Sequence, residues 1–396
     1  MKRIVIYTLL MTAMLSAKGQ DERIQYPPAL KNCYFGVNIG YINYPFSAAQ
    51  LQAGHTVQTV KVPHTAVRII LLGHQFNKNL AAQITYMRPV EWVQYNSIDG
   101  DKKRHTVWMN VAGLTVAGNW PLTPRLSLFT EAGLGLIMRK GFSINNGSVV
   151  KNASYGTGLF GGSLQYHFNK KWDLQFSSVF SPENKKVKQP HTLFLAAGFN
   201  YYLRSLSAER VEKVKAAGYH FPKQILMAGY TTNVLGYGVN KAVSKGPVPV
   251  FWGGEVQMKS GLTVSYQRNL FHTRRVFSLD WGASLAVWNT RKEHTSLVTL
   301  SAYPVMRFTV IRSPGTDLYL EYTVAGPTYI SKTQADGHNT GEQFTFYDMM
   351  GMGLFAGKKK NINASIRIAH FSNGNLFPHN DGFMVPLTVG FGYAWP

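Results

Sequence analysis

Along most of this chain apolar and polar residues alternate one by one, in short runs separated by Gly, Asn, Pro and Lys. A period of two puts successive side chains on opposite faces of an extended strand. The C-terminal stretch 361–395 shows this most plainly. Ile362, Ala364, Ile366 and Ile368 share one face, and Asn363, Ser365 and Arg367 share the other. Carried two steps further, the apolar face reaches His370 and then Ser372. In the next run Val385, Leu387, Val389, Phe391, Tyr393 and Trp395 line one side, opposed by Thr388, Gly390, Gly392 and Ala394.

The same pattern predicts strands near 33–43, 64–76, 80–95, 105–119, 125–140, 154–168, 172–181 and 192–203. Only Asn77-Lys78-Asn79 separates the second from the third, and Asn169-Lys170-Lys171 the sixth from the seventh, whereas 44–63, 96–104 and 141–153 are long connections. Short turns alternating with long loops are the layout of a transmembrane β-barrel, with the short turns in the periplasm. In the 125–140 run, Ser127, Glu131 and Gly133 oppose Leu126, Leu128, Thr130, Ala132, Leu134 and Leu136, which sends the Glu131 carboxylate into the lumen.

Residues 205–223 break the alternation. The charged run from Ala208 to Lys215 can form a short helix ending near Gly218 and Pro222, and reads as a periplasmic linker. Nine further runs follow, at 224–235, 248–258, 262–271, 276–289, 296–311, 317–330, 343–356, 362–373 and 383–395. A barrel with both ends in the periplasm needs an even number, so one run does not span. The expected exception is 262–271, with Gln267, Arg268 and Asn269 at its middle. Pro124 and Pro314 each stand seven residues before a glutamate, Glu131 and Glu321, a faint repeat that favours two like units. The expected fold is all-β, with two tandem antiparallel transmembrane β-barrels of about eight strands each, at 20–204 and 224–396. The alternative is one barrel of about sixteen strands with the linker as a long turn.

Composition supports export and a membrane. Lys2 and Arg3 precede an apolar run at 4–15 and the small residues Ser16, Ala17 and Gly19, which reads as a signal peptide at 1–19 that leaves Gln20 first. That run is too short to cross a bilayer as a helix, and no later stretch is long enough. One cysteine, Cys33, excludes an internal disulfide framework. Charged residues make up 15% of the chain, well below the roughly 25% of soluble domains, while aromatics reach 13%. The net charge of +22 raises nucleic acid as a partner. An exported chain instead meets anionic lipid, with lipid A phosphates as the counter-charge. Lipopolysaccharide and other outer-membrane lipids are therefore the expected partners, nucleic acid is not, and a homodimer stays open.

No cofactor or metal is expected. Gly156-Thr157-Gly158-Leu159-Phe160-Gly161 fits G-x-G-x-x-G, but it lies inside an alternating strand with no helix after it, where glycines pack in a barrel wall. The twelve histidines show no metal-ligand spacing, and no G-x-S-x-G elbow or P-loop is present. Tyr201, Tyr202, Tyr393 and Trp395 fall where an aromatic girdle would lie.

With a periplasmic C-terminus the last strand descends and the one before it ascends. His370 and Ser372 then sit at its outer end, before the 374–382 loop, facing lipid in the leaflet that holds lipopolysaccharide. Residues i and i+2 on a strand have Cα atoms about 6.6 Å apart, at about 3.3 Å rise each. An imidazole leaning along the strand can reach the hydroxyl, which is the base–nucleophile contact of acyl transfer. Polar groups on a lipid-facing wall are costly and ask for a reason.

His370-Phe371-Ser372-Asn373, a loop with Pro378 and Asn380-Asp381-Gly382, and then a terminal strand resemble the signature of the PagL family of outer-membrane lipid A 3-O-deacylases, also called acyloxyacyl hydrolases. Phe346-Tyr347-Asp348, Gly351-Met352-Gly353 and the run around Glu321 fall where that family has similar segments. The resemblance covers 248–395 and is motif-specific only in 361–395. It implies an eight-stranded barrel with its active site on the lipid-facing surface, His370 as general base and Ser372 as nucleophile. It also implies Asn373 or Asn380 as oxyanion contributors. The first half resembles OmpA/OmpX-type barrels in layout alone.

The sequence departs from the family at the glutamate that orients the histidine, where Met384 stands, flanked by Phe383 and Val385. Either Asp381 or a loop carbonyl takes the role, or a slow dyad operates, or activity is lost. The corresponding strand of the first barrel, Phe176-Ser177-Ser178-Val179-Phe180-Ser181, has no histidine, and no hydrolysis is expected there. The leading function is a membrane-embedded carboxylic ester hydrolase acting on lipid A or a related lipid. The rivals are a structural or adhesive barrel protein with a vestigial site, and a solute pore if the barrel is single and wide.

Overall fold

The computed structural model describes residues 21–145, 147–244, 253–374, 376–377 and 379–395. The signal-peptide expectation at 1–19, Pro378 and the 248–252 part of an expected strand lie outside them. The described chain divides into two compact units, one formed by Pro28–Ser205 and the other by Leu206–Pro396 with the residues before Pro28.

In the first unit eight strands close on themselves: β1 (Cys33–Asn43), β2 (Thr65–Gln75), β3 (Leu80–Pro89), β4 (Asp101–Thr123), β5 (Leu126–Lys140), β6 (Ala153–His167), β7 (Trp172–Ser181) and β8 (Thr192–Tyr202). Neighbours in sequence pair antiparallel, and β1 pairs back with β8 from Tyr34↔Tyr202 to Asn43↔Leu193. The expected 80–95 strand ends at Pro89, and a separate strand, Val93–Ile98, pairs with the start of β4 and with Val57–Lys61, extending the sheet on the long-loop side. Alternation places Val37, Ile39, Tyr41, Leu134, Phe160 and Phe176 on the outer wall, all exposed. Inside, Glu131 forms a buried ion pair with Arg68 at 2.8 Å, as the lumen-facing pattern predicts, and also accepts from Thr115.

The second unit is a closed barrel of β9 (Gln224–Thr232), β10 (Val256–His272), β11 (Phe277–Thr290), β12 (Ser296–Arg312), β13 (Thr316–Ile330), β14 (Phe344–Ala356), β15 (Ile362–Ser372) and β16 (Phe383–Trp395). Closure runs from Gln224↔Trp395 to Thr231↔Thr388. Two separate closures exclude the single large barrel, and with it the wide pore.

The strand count differs from the expected one. The runs at 248–258 and 262–271 are not two strands of which the second fails to span. Val256–His272 is one strand of 17 residues that carries the expected exception across the wall. Lys259-Ser260-Gly261 reads as a turn in sequence, but a bulge between Met258 and Ser260 absorbs the extra residue and pairing with β11 continues. Gln267 and Asn269 face the lumen, where buried polar groups find partners: Gln267 accepts from Arg307, and Asn269 donates to Asp280.

Glu321 matches Glu131 as the repeat suggests. It takes Arg367 as a buried partner, with Arg307 at 3.8 Å. Between the barrels, Ala208–Ala216 forms helix α1, capped by Ser207, whose side chain accepts from Arg210 N–H. The lead 21–27, expected with the first barrel, packs with the second unit. Arg23 donates to Phe221 O and Asn269 Oδ1, both at 3.1 Å, and Tyr26 stacks near Phe271 with centroids 4.7 Å apart.

Candidate active site

The site stands at the long-loop end of β15. Phe371 and Ala369 belong to a buried lumen cluster with Met349, Trp288 and Tyr347, and the Phe371 ring lies 5.0 Å from that of Tyr347. Strand alternation therefore turns His370 and Ser372 to the outer wall. The pair shares the outward face, as the sequence pattern predicts.

The expectation that this face lies open to lipid is corrected. His370 is 2% exposed, and Ser372 is half-buried. Gly382 lies against the imidazole, a Cβ there meeting His370 Cε1 at 3.2 Å, and the wall beside it is shaped by the short β9. It stops at Thr232, and beyond it β10 and β16 pair directly and in parallel, Val256↔Phe383 and Gln257↔Met384. The described parts of the connection between β9 and β10, 233–244 and 253–255, lie beside this pairing. Its helix α2 (Gly238–Ser244) packs on β15 and β16, and Asn240 Nδ2 donates to Val385 O at 2.9 Å. A Cβ on Gly253 would touch both Ser244 Oγ, at 3.5 Å, and the Met384 methyl, at 3.7 Å. The chain itself thus covers the wall beside His370.

Met384 is the direct cross-strand partner of His370. A bulge on β16 makes it so. Between Arg367↔Thr388 and Ala369↔Val385 the β16 strand uses one residue more, at Pro386-Leu387. The bulge turns Val385 into the lumen and Met384 outward, so the unbroken apolar face expected from Val385 to Trp395 switches sides.

The loop residues have other duties. Asn373 Nδ2 donates to Thr340 O at 3.2 Å and His379 O at 2.8 Å, while its backbone N–H donates to Asn380 Oδ1 at 2.8 Å. Asp381 accepts from Asn339 N–H at 3.0 Å, stands 3.3 Å from His338 Nδ1, and its carbonyl accepts from Glu255 N–H. These bonds fasten the 373–382 loop to its neighbours.

One carboxylate on this wall escapes the sequence reading. Asp348 of β14 is the direct partner of His370 on the side away from Met384. Direct partners share a face, with Cβ atoms about 4.5–5.5 Å apart. Asp280, Asp317 and Glu321, the other strand carboxylates of this barrel, sit in the lumen beside Arg307, Arg312, Lys360 and Arg367. Asp348 Oδ1 accepts from Ala325 N–H at 2.7 Å, at a bulge where Ala325 has φ +54°. The position of Asp348 in Phe346-Tyr347-Asp348 was visible, but its pairing with His370 depends on register.

Two closed eight-stranded antiparallel barrels with apolar outer walls and polar lumens define a bacterial outer-membrane protein of small-barrel type. Residues 28–201 match the family model of the OmpA-like transmembrane domain, and residues 260–391 match that of lipid A 3-O-deacylase, PagL. Among solved structures, the outer-membrane enzyme PagL is 19% identical over 44% of this chain and 99% of that one, with a TM-score of 0.30. Neisserial surface protein A is 12% identical over 43% and 97%, with a TM-score of 0.29. The N-terminal β-barrel domain of Pseudomonas aeruginosa OprF is 17% identical over 43% and 98%, with a TM-score of 0.27. Comparison with curated proteins finds no match.

Proposed function

We propose that the second barrel is an outer-membrane esterase that removes an ester-linked acyl chain from lipid A, with His370 as general base and Ser372 as nucleophile. The observation that carries this reading is the placement of both side chains on the outer wall, at the long-loop end, within the 260–391 match to lipid A 3-O-deacylases. Ser372 Oγ attacks the ester carbonyl while His370 takes its proton, then returns it to the departing sugar hydroxyl. Water resolves the acyl-serine with His370 again as base.

Met384 leaves the imidazolium formed in this step without the family's glutamate. Asp348, across the other strand boundary, supplies negative charge on the same wall in a low-dielectric setting, where such charge acts strongly. Its Oδ1 accepts from Ala325 N–H, which holds the carboxylate in place on this wall. Mass spectrometry of lipid A from cells carrying the protein or its Ser372→Ala variant tests the reading: loss of one hydroxyacyl chain in the first alone supports it, and identical spectra overturn it.

Met384 and the covering of His370 favour a second reading, a non-catalytic structural or adhesive barrel protein whose pair is vestigial. That reading predicts no deacylation by the protein as it stands.

A further inference from the structure

We propose that the short-turn mouth of the first barrel holds a second nucleophile, Ser127, activated by His167 and Asp173 for attack on small acyl esters. Three lumen-facing residues meet there. Ser127 stands near the start of β5, His167 ends β6, and Asp173 stands near the start of β7. His167 and Asp173 are direct partners across the β6–β7 turn, and Ser127 pairs with Gln165, two residues before His167 and on the same face.

The distances form a relay. Ser127 Oγ lies 2.8 Å from His167 Nε2, and His167 Nδ1 lies 2.9 Å from Asp173 Oδ1. An ionised carboxylate only accepts, so Asp173 holds the proton on Nδ1 and leaves the Nε2 lone pair facing the serine hydroxyl. Serine to Nε2 and Nδ1 to carboxylate is the connectivity of a hydrolase triad, which is recognised by geometry and roles rather than by order in the chain.

A hydrogen-bonded plug of the lumen would use polar residues too. Two features add chemistry to this one. Asp173 is nearly buried and His167 is not, their side chains being 5% and 31% exposed, so the acid is fixed while the base can exchange protons with solvent. Arg125, Lys170, Lys171 and Arg204 ring the same mouth, and such a cluster draws anionic molecules. Ser127 is 2% exposed, which limits entry to a small acyl group passing His167. The substrate class is therefore a small ester bearing a negative charge.

In the first step Ser127 Oγ bonds to the acyl carbon, its proton moves to Nε2, and the alkoxide leaves with that proton. Water then attacks the acyl-serine, His167 takes the water proton, and the carboxylate is released with the serine restored.

The test uses the full-length folded protein in detergent, treated with a small fluorophosphonate, followed by peptide mapping, which separates Ser127 from Ser372. The expected result is phosphonylation of Ser127, slowed about a hundredfold or more in His167→Asn and Asp173→Asn. Heat-modifiable gel mobility verifies that each variant is folded. An unlabelled Ser127 in the folded protein, or labelling at the same rate in the two variants, overturns the proposal. Neither outcome bears on the reading of His370 and Ser372.

Discussion

Met384, the residue at which the resemblance to lipid A deacylases would put an orienting glutamate, stands directly across from His370 on the neighbouring strand. The β16 bulge at Pro386-Leu387 puts it there, so the vacancy is one of chemistry and not of geometry. Removing the acid of a triad can lower kcat by about 10⁴. Met384→Glu is of similar length and is expected to raise the deacylation rate at least tenfold, measured as fatty acid released from purified lipid A. An unchanged rate in a folded variant would mean that the histidine is not limited by its missing acid.

Asp348 is the test of what the protein uses instead. Asp348→Asn keeps an acceptor for Ala325 N–H, so the β13 bulge stays held while the charge is lost. Deacylation is expected to fall at least tenfold, with KM little changed, and to return when Met384→Glu is added. A fall without rescue would place Asp348 in the fold alone.

The lumen predicts a stability effect separate from activity. Glu321 is 2% exposed and faces Arg367 and Arg307. Breaking a buried pair by removing one partner costs about 3–5 kcal/mol. Glu321→Gln is expected to unfold the second barrel at lower urea, seen as an earlier loss of heat-modifiable mobility.

Much of this architecture was legible from alternation alone. The bounds of β1, β7 and β16 follow the pattern residue for residue, because each has a wall facing lipid and a wall facing the lumen. The errors lie at bulges. An extra residue at Met258/Ser260 disguised one strand as two, and another at Pro386-Leu387 reversed the faces of β16. A period-two reading cannot see an inserted residue until the partner strand is known. The same limit hid Asp348, whose relation to His370 is a matter of register, and the Ser127–His167–Asp173 relay, which spans three strands. The cover over His370 was hidden as well, since it depends on how Gly382 and the loop before β16 return against the strand.

A pH effect is expected where the lead segment docks. Burial and nearby Arg23 hold His220, in the segment between the barrels, below its ordinary pKa of 6.5. The folded form then binds fewer protons than the unfolded one just below that pH, so its contribution to stability is full above 6.5 and is lost as pH falls. Limited proteolysis should release the 21–27 lead faster at acid than at neutral pH, and His220→Gln should abolish the difference.

Under the proposed mechanism Ser372 carries an ester hydrolysis on the outer wall of the second barrel. Purified folded protein in mixed micelles with lipid A, followed by quantification of free hydroxy fatty acid, addresses it without cellular enzymes. Release of one hydroxy acid per lipid A by the protein, and none by Ser372→Ala, is the expected result. Equal release by the two, or none by either, would contradict it.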